Sequence, residues 1–208
     1  MPMTYIRTEQ AEQSPEQGSR KYTGAVAQGY DEKREKSEKW KVEQSVIENM
    51  LSDLAHGDYV LDVPCGTGRF FDFYNKQGLI IRAMDISADM IEIARKKNES
   101  EFTWFAQRNL LEGTGLDPKS VDAAVMCRMT RWLSPEECGV ALHNLMTVTR
   151  KKIVFTARVR SHPHARTYEM IQGWLDTAPE KWGIYRDEPG AEDAYRIIEL
   201  RPEKSNGS

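Results

Sequence analysis

Between about residue 42 and residue 157 the chain alternates short apolar runs with longer amphipathic stretches, and this alternation narrows the fold more than any other feature. The runs Tyr59–Val63, Leu79–Met84, Phe102–Gln107, Val121–Cys127 and Ile153–Ala157 are too short for helices and apolar enough for buried strands. Between them, Arg69–Gln77, Ser87–Lys97 and Pro135–Thr149 read as helices, with Ser87 and Ser134 as N-caps. Ahead of the first strand, Val42, Val46, Ile47, Met50, Leu51 and Leu54 approximate one face of a helix over 41–56, and Gly57 stops it. Such alternation predicts a mostly parallel sheet with helices on both faces. The end of the chain differs. Ile184–Arg186 and Tyr195–Leu200 read as two strands joined by a polar loop that holds Pro189 and Gly190. So short a link cannot carry a parallel crossover, so the pair is expected to close the sheet as an antiparallel hairpin.

The length of 208 residues suits one domain over 21–208, preceded by a polar tail at 1–20. Within that domain, 21–41 is expected to be a capping segment and 158–183 a lid on the acceptor side, with Trp174 and Trp182 packing it over the cleft. A net charge of -3 argues against a dedicated nucleic-acid coat and leaves room for a local basic site. Three cysteines, Cys65, Cys127 and Cys138, lack the paired spacing of a disulfide framework or a zinc site. A reducing, cytoplasmic setting is the simplest expectation. Met1 to Arg20 has no apolar core of a signal peptide, and no window approaches the roughly 18 apolar residues of a membrane helix.

The turn after the first strand reads Asp62-Val63-Pro64-Cys65-Gly66-Thr67-Gly68. In open α/β sheets ligands bind beyond the carboxyl ends of the strands, where this turn stands. Gly66 and Gly68 lack a Cβ, so a ligand is expected to approach the backbone there, with free N–H groups at the next helix start. No Lys-Ser/Thr pair follows, which excludes a phosphate-cradling P-loop, and no third glycine completes a dinucleotide fingerprint. Asp85 ends the second strand, where an acid accepts hydrogen bonds from both ribose hydroxyls.

Two segments carry a resemblance. Val60 to Phe70 resembles the first motif of the class I S-adenosylmethionine-dependent methyltransferases, and Ala83 to Ala94, with its Asp-x-Ser-x-x-Met-x-x-x-Ala pattern, resembles their second. That pattern is typical of the small-molecule branch, which includes the quinone-biosynthesis enzymes. Pro64 stands where the family usually has Gly. The resemblance implies a doubly wound, mostly parallel, seven-stranded sheet of Rossmann-like type with a C-terminal antiparallel hairpin. It implies S-adenosylmethionine as cofactor, S-adenosylhomocysteine as product, and no metal. Asp62 and Gly66 would line its methionine part; Asp85 would hold the ribose hydroxyls, Ile86 would lie against the adenine and Asn109 and Leu110 at its edge; Pro64, Cys65, Gly68, Met90 and Cys127 would be further cofactor contacts. Tyr22 and Tyr30 lie in a segment that often closes over the cofactor; simple helix packing explains them as well.

Methyl transfer from a sulfonium is an in-line displacement, so positioning supplies much of the catalysis and a base is needed only where the acceptor must lose a proton. The acceptor is therefore sought beyond the fourth and fifth strands. There the chain reads Cys127-Arg128-Met129-Thr130-Arg131-Trp132 and Arg158-Val159-Arg160-Ser161-His162. Arg128, Trp132, Arg158 and Arg160 are candidate acceptor contacts, and Arg128, Arg131 and His162 candidate catalytic groups. Arginine forks suit anions, so a small anionic acceptor is expected, with a solvated lid as the competing explanation. Cys127 reads as a buried small side chain rather than a nucleophile, because the Pro-Cys context of pyrimidine C5 methyltransferases is missing. The alternative is a cofactor-binding protein without turnover, serving as a partner or sensor, and a nucleic-acid acceptor is less favoured. Arg150, Lys151 and Lys152 precede the fifth strand and should lie at the far edge of the sheet.

Overall fold

The structure is a computed structural model that describes residues 37–98, 100–158, 168–178, 180–191 and 195–203. In chain order the elements are α1 (Glu38–Leu51), β1 (Tyr59–Asp62), α2 (Phe71–Gln77), β2 (Ile80–Asp85), α3 (Ala88–Lys97), β3 (Thr103–Gln107), β4 (Val121–Met126), α4 (Pro135–Val148), β5 (Thr149–Arg158), α5 (Tyr168–Asp176), β6 (Trp182–Pro189) and β7 (Tyr195–Pro202). Short 3-10 turns at Leu110–Glu112 and Thr130–Trp132 follow β3 and β4. One seven-stranded sheet has the order β3-β2-β1-β4-β5-β7-β6. The first five strands are parallel; β7 runs antiparallel to β5, and β6 to β7. The strand order reverses between β1 and β4, which sets the ligand crevice of such sheets there.

All six residues of β4 are buried, because helices cover both of its faces. Val60, Ala123 and Val125 pack with Ile47, Met50 and Leu51 of α1, Phe71 and Tyr74 of α2, and Ile91 and Ala94 of α3. Leu61, Ala124 and Met126 point the other way, into a core with Leu142 and Leu145 of α4 and Ile171 and Leu175 of α5. The two expected caps are present. The Ser87 hydroxyl accepts from the Met90 N–H, and Ser134 forms a reciprocal capping box with Glu137.

Several boundaries move for physical reasons. The buried stripe of α1 is Trp40, Glu43, Ile47, Met50 and Leu51; Val42, expected on it, is exposed. Phe70 and Phe71 turn into the core and hold the chain in a turn after the glycines, so α2 begins at Phe71 rather than Arg69. Strand β5 begins at Thr149, directly after α4, because Thr149 and Lys152 are buried against β4 and α1. Lys152 donates to the Met50 carbonyl, and Arg150 and Lys151 pair with Asp122 and Asp58, which keeps all three at the far edge as expected. Trp182 does not cover a cleft. It opens β6 level with Pro202, at the sheet end opposite the crevice, with the Lys119 ammonium 5.4 Å from its ring centroid. Trp174 packs on Gly139 of α4. No helix among the described residues is long and apolar enough to cross a membrane.

Candidate functional site

A cavity opens at the carboxyl ends of β1, β2 and β4, lined on one side by the turn Val63–Thr67 and on the other by 127–133. The turn is tied to β2. Cys65 donates its N–H to the Met84 carbonyl at 2.8 Å, and Gly66 donates to Asp85 Oδ2 at 2.9 Å. Gly68 N–H goes back to the Cys65 carbonyl. These bonds use N–H groups that the sequence left free for a ligand, so the turn grips a carboxylate of its own chain instead of an anion. The two glycines also part company. Gly66 has φ +54, and a Cβ there would meet nothing within 4 Å, so its bare face opens on the cavity. Gly68 has φ +82, and a Cβ there would lie 2.7 Å from Phe71 Cδ2. Gly68 is a packing glycine, away from the cavity lining.

Asp85 is held from both sides. Its Oδ1 accepts from the Ser87 N–H at 2.9 Å and its Oδ2 from Gly66, which leaves a lone pair on each oxygen. Burial outweighs these bonds and pushes its carboxyl up to about 6. Asp62, at the end of β1, is 1% exposed and lies just behind the cavity wall. Neither of its oxygens has a well-formed hydrogen bond among the described residues, although the Tyr74 hydroxyl approaches it and moderates its rise. Burial, reinforced by the charge of Asp85, lifts Asp62 to about 8. Two carboxylates thus share one end of the site, and neither forms an ion pair among the described residues.

The other end is basic. Glu43 of α1 is 1% exposed and receives Arg69 Nη1 at 2.5 Å and Arg128 Nε at 2.8 Å on the same oxygen, Oε1. The Arg69 guanidinium lies 3.5 Å from the centroid of the Trp40 ring, and that of Arg128 lies 5.1 Å from it. Arg131 is exposed at the rim, 4.9 Å from the Trp132 ring centroid. Phe70, Met129 and Leu133 supply apolar wall.

Among the residues singled out in the sequence, Pro64, Cys65, Gly66, Asp85, Ile86, Met90, Asn109, Leu110, Cys127, Arg128, Arg131 and Trp132 all line this cavity. The Asn109 side chain first caps the turn that follows it, accepting from the Leu111 N–H and donating to Glu112. Cys127 donates to Glu43 at 3.5 Å, and burial beside that carboxylate pushes its thiol well up, the reverse of what a nucleophile needs. Arg158 ends β5 without lining the cavity. Tyr22, Tyr30, Arg160 and His162 lie outside the described residues. The sequence reading missed Trp40, Glu43, Arg69 and Arg108, of which Glu43 alone does not line the cavity. Glu43 did carry a signal: an acid in register with Trp40, Ile47 and Met50, on the buried stripe of an amphipathic helix.

Residues 60–152 match the methyltransferase domain family. No curated protein sequence matches the chain. Among solved structures, magnesium protoporphyrin IX methyltransferase from Synechocystis PCC 6803, with bound SAM, superposes with a TM-score of 0.72 at 15% identity, covering 94% of this chain and 100% of that one. The N-methyltransferase NodS from Bradyrhizobium japonicum WM9, in complex with S-adenosylhomocysteine, gives 0.69 at 12% identity, covering 92% and 100%. The [4+2]-cyclase SpnF gives 0.61 at 14%, covering 76% and 80%. At these identities the likeness is one of fold.

Proposed function

We propose that the chain is a methyltransferase that takes S-adenosylmethionine and methylates a small anionic acceptor. The observation that carries this reading is the polarity of the cavity. Asp85 lines one end with Asp62 behind it, neither in an ion pair among the described residues, and arginines line the other. A phosphate-rich nucleotide meets two carboxylates and a turn whose N–H groups are occupied. A nucleoside with a cationic amino-acid tail meets complementary groups. Asp85 has a lone pair on each oxygen for two ribose hydroxyls, and the orphaned Asp62 suits an ammonium. The open face at Gly66 leaves room for the chain between them. The structural likeness to proteins crystallised with SAM and S-adenosylhomocysteine agrees with this fit.

S-Adenosylmethionine supplies an electrophilic methyl group on its sulfonium. The residues of this chain hold, orient and exclude water. Ile86, Met90 and Leu110 form an apolar slot for a planar base, beside the Asn109 amide. Trp40, Phe70 and Met129 dry the space between the acidic and basic ends, which strengthens each electrostatic contact made there. Arg128 and Arg131 orient the acceptor through its negative group, and that positioning replaces a dedicated base.

Calorimetric titration with S-adenosylmethionine, S-adenosylhomocysteine and NAD tests the first half. The first two are expected to bind and NAD to give no heat; preference for NAD would overturn the assignment. Asp85→Asn is expected to weaken S-adenosylmethionine binding about ten- to a hundredfold, the scale of hydrogen bonds to a charged group. Turnover of methyl-labelled cofactor against a panel of carboxylate metabolites, neutral metabolites and nucleic acids tests the second half. Label on a carboxylate metabolite supports it, and binding with no turnover on any class favours a binding protein.

A further inference from the structure

Arg128 enters the cavity on a backbone that a side-chain-bearing residue adopts at a cost. Its φ is +60, in the left-handed region. Two contacts enforce it. The Arg128 N–H donates to Thr156 Oγ1 on β5 at 2.7 Å, and its Nε donates to Glu43 on α1 at 2.8 Å. A strained conformation that neighbouring elements hold in place is a common mark of a functional group. The two arginines that meet Glu43 are used differently. Arg69 is absorbed in the wall: Nη1 on Glu43, Nη2 on the Trp40 carbonyl, Nε on Gln44, and its plane against the Trp40 ring. Of the Arg128 guanidinium, only Nε makes a hydrogen bond among the described residues. Its terminal nitrogens have no hydrogen-bond partner among the described residues, and the side chain lines the cavity.

The charges also leave a remainder. Among the described residues one buried carboxylate, Glu43, forms ion pairs with both guanidiniums, so at that contact positive charge exceeds negative by one beside an apolar wall of Trp40, Phe70, Met129 and Leu133. A single negative charge balances it. A dianion would bring a second charge into a poorly solvated wall, and Arg131, at the exposed rim, repays less of its desolvation than a buried partner would. The planar edge of a guanidinium meets both oxygens of a carboxylate at once.

We propose that Arg128 is the anion fork of the acceptor subsite, that Glu43 is the positioning residue that aims it, and that the acceptor is a monocarboxylate carried on an apolar ring or chain. The inference rests on the methyl-transfer reading of the cavity. The experiment separates the two: S-adenosylhomocysteine binding is measured first, and its absence removes the cofactor reading. With the cofactor product bound, the protein is titrated with sodium benzoate, benzamide and phenyl phosphate. Benzoate is expected to bind best and to shift the Arg128 Nε–H nuclear resonance, assigned by its loss in Arg128→Lys. Glu43→Gln keeps shape and removes charge. Electrostatics alone predicts tighter benzoate binding in this variant, whereas positioning predicts about tenfold weaker binding, as charge-assisted bonds become neutral ones. Unchanged or tighter benzoate binding in Glu43→Gln, with S-adenosylhomocysteine still bound, overturns the role of Glu43. Where that variant does not fold, Arg128→Lys decides alone: it keeps the charge and loses the fork, and undiminished benzoate affinity, or equal affinity for benzamide, overturns the subsite.

Discussion

Asp62 and Asp85 end neighbouring parallel strands, and their consequences are set atom by atom. Asp85 is bound by the Gly66 and Ser87 N–H groups and Asp62, among the described residues, by no well-formed hydrogen bond, so Asp62 has the greater capacity for a donor from a ligand. Its carboxyl rises from 3.8 to about 8, chiefly by burial and then by the charge of Asp85, with Tyr74 and Arg69 opposing. Between those two values the folded protein holds a proton that the unfolded chain has released. Stability therefore falls as pH rises through that window. Asp62→Asn should flatten this decline, which urea denaturation at pH about 5 and about 8 checks. A cationic ligand favours the ionised carboxylate, so S-adenosylmethionine binding at neutral pH should release about one proton. Calorimetry in buffers of different ionisation enthalpy measures it, and the release should vanish in Asp62→Asn. No release in the wild-type protein would mean that Asp62 does not meet the ammonium.

At the level of elements, the turn between β1 and α2 shows how two identical residues serve different ends. Gly66 leaves open space on the cavity and Gly68 gives room to the Phe71 ring. Alanine at Gly68 should cost stability, on the order of 1–3 kcal/mol from a positive φ and a clash, and thereby lower the unfolding temperature. Alanine at Gly66 should cost about 1 kcal/mol from its φ alone, and weaken cofactor binding more than Gly68→Ala does. Thermal denaturation together with calorimetry on both variants checks the contrast; equal effects on binding would place both glycines in the wall. The caps at Ser87 and Ser134 were legible because capping is local, needing a hydroxyl and an N–H three residues away. The face of α1 was misjudged at Val42 because its stripe is completed by Glu43, a charged residue whose burial depends on arginines far along the chain.

For the whole molecule, the sheet order puts an acidic end and a basic end on one crevice. The acidic end comes from β1 and β2, and the basic end from α1, the start of α2 and the turn after β4. A ligand that spans the acidic end ties β1, β2 and their turn together, so binding should stabilise the domain as a unit. At a hundredfold excess over its dissociation constant, S-adenosylmethionine should add about 2.7 kcal/mol, which for a chain of 208 residues is an upward shift of roughly 5–10 °C in unfolding temperature. NAD at equal concentration should leave the transition in place, and differential scanning fluorimetry compares them.

What depends on neighbours in the chain is legible from the residues alone: the alternation of strands and helices, the turn at Gly66, the acid at the end of β2, the caps, and the closing hairpin. Periodicity, caps and glycines act over a few residues, so they are written in order along the chain. Long-range packing alone settles that Gly66 opens on the cavity while Gly68 packs on Phe71, that the turn's N–H groups go to Asp85 and to the Met84 and Cys65 carbonyls, and that Trp182 stands at the far end of the sheet. It also brings Arg128 into hydrogen bond with Glu43, a residue 85 positions earlier. Contacts at that separation arise from the crossing of the chain between β1 and β4, and a buried ion pair is legible only when both partners are in place.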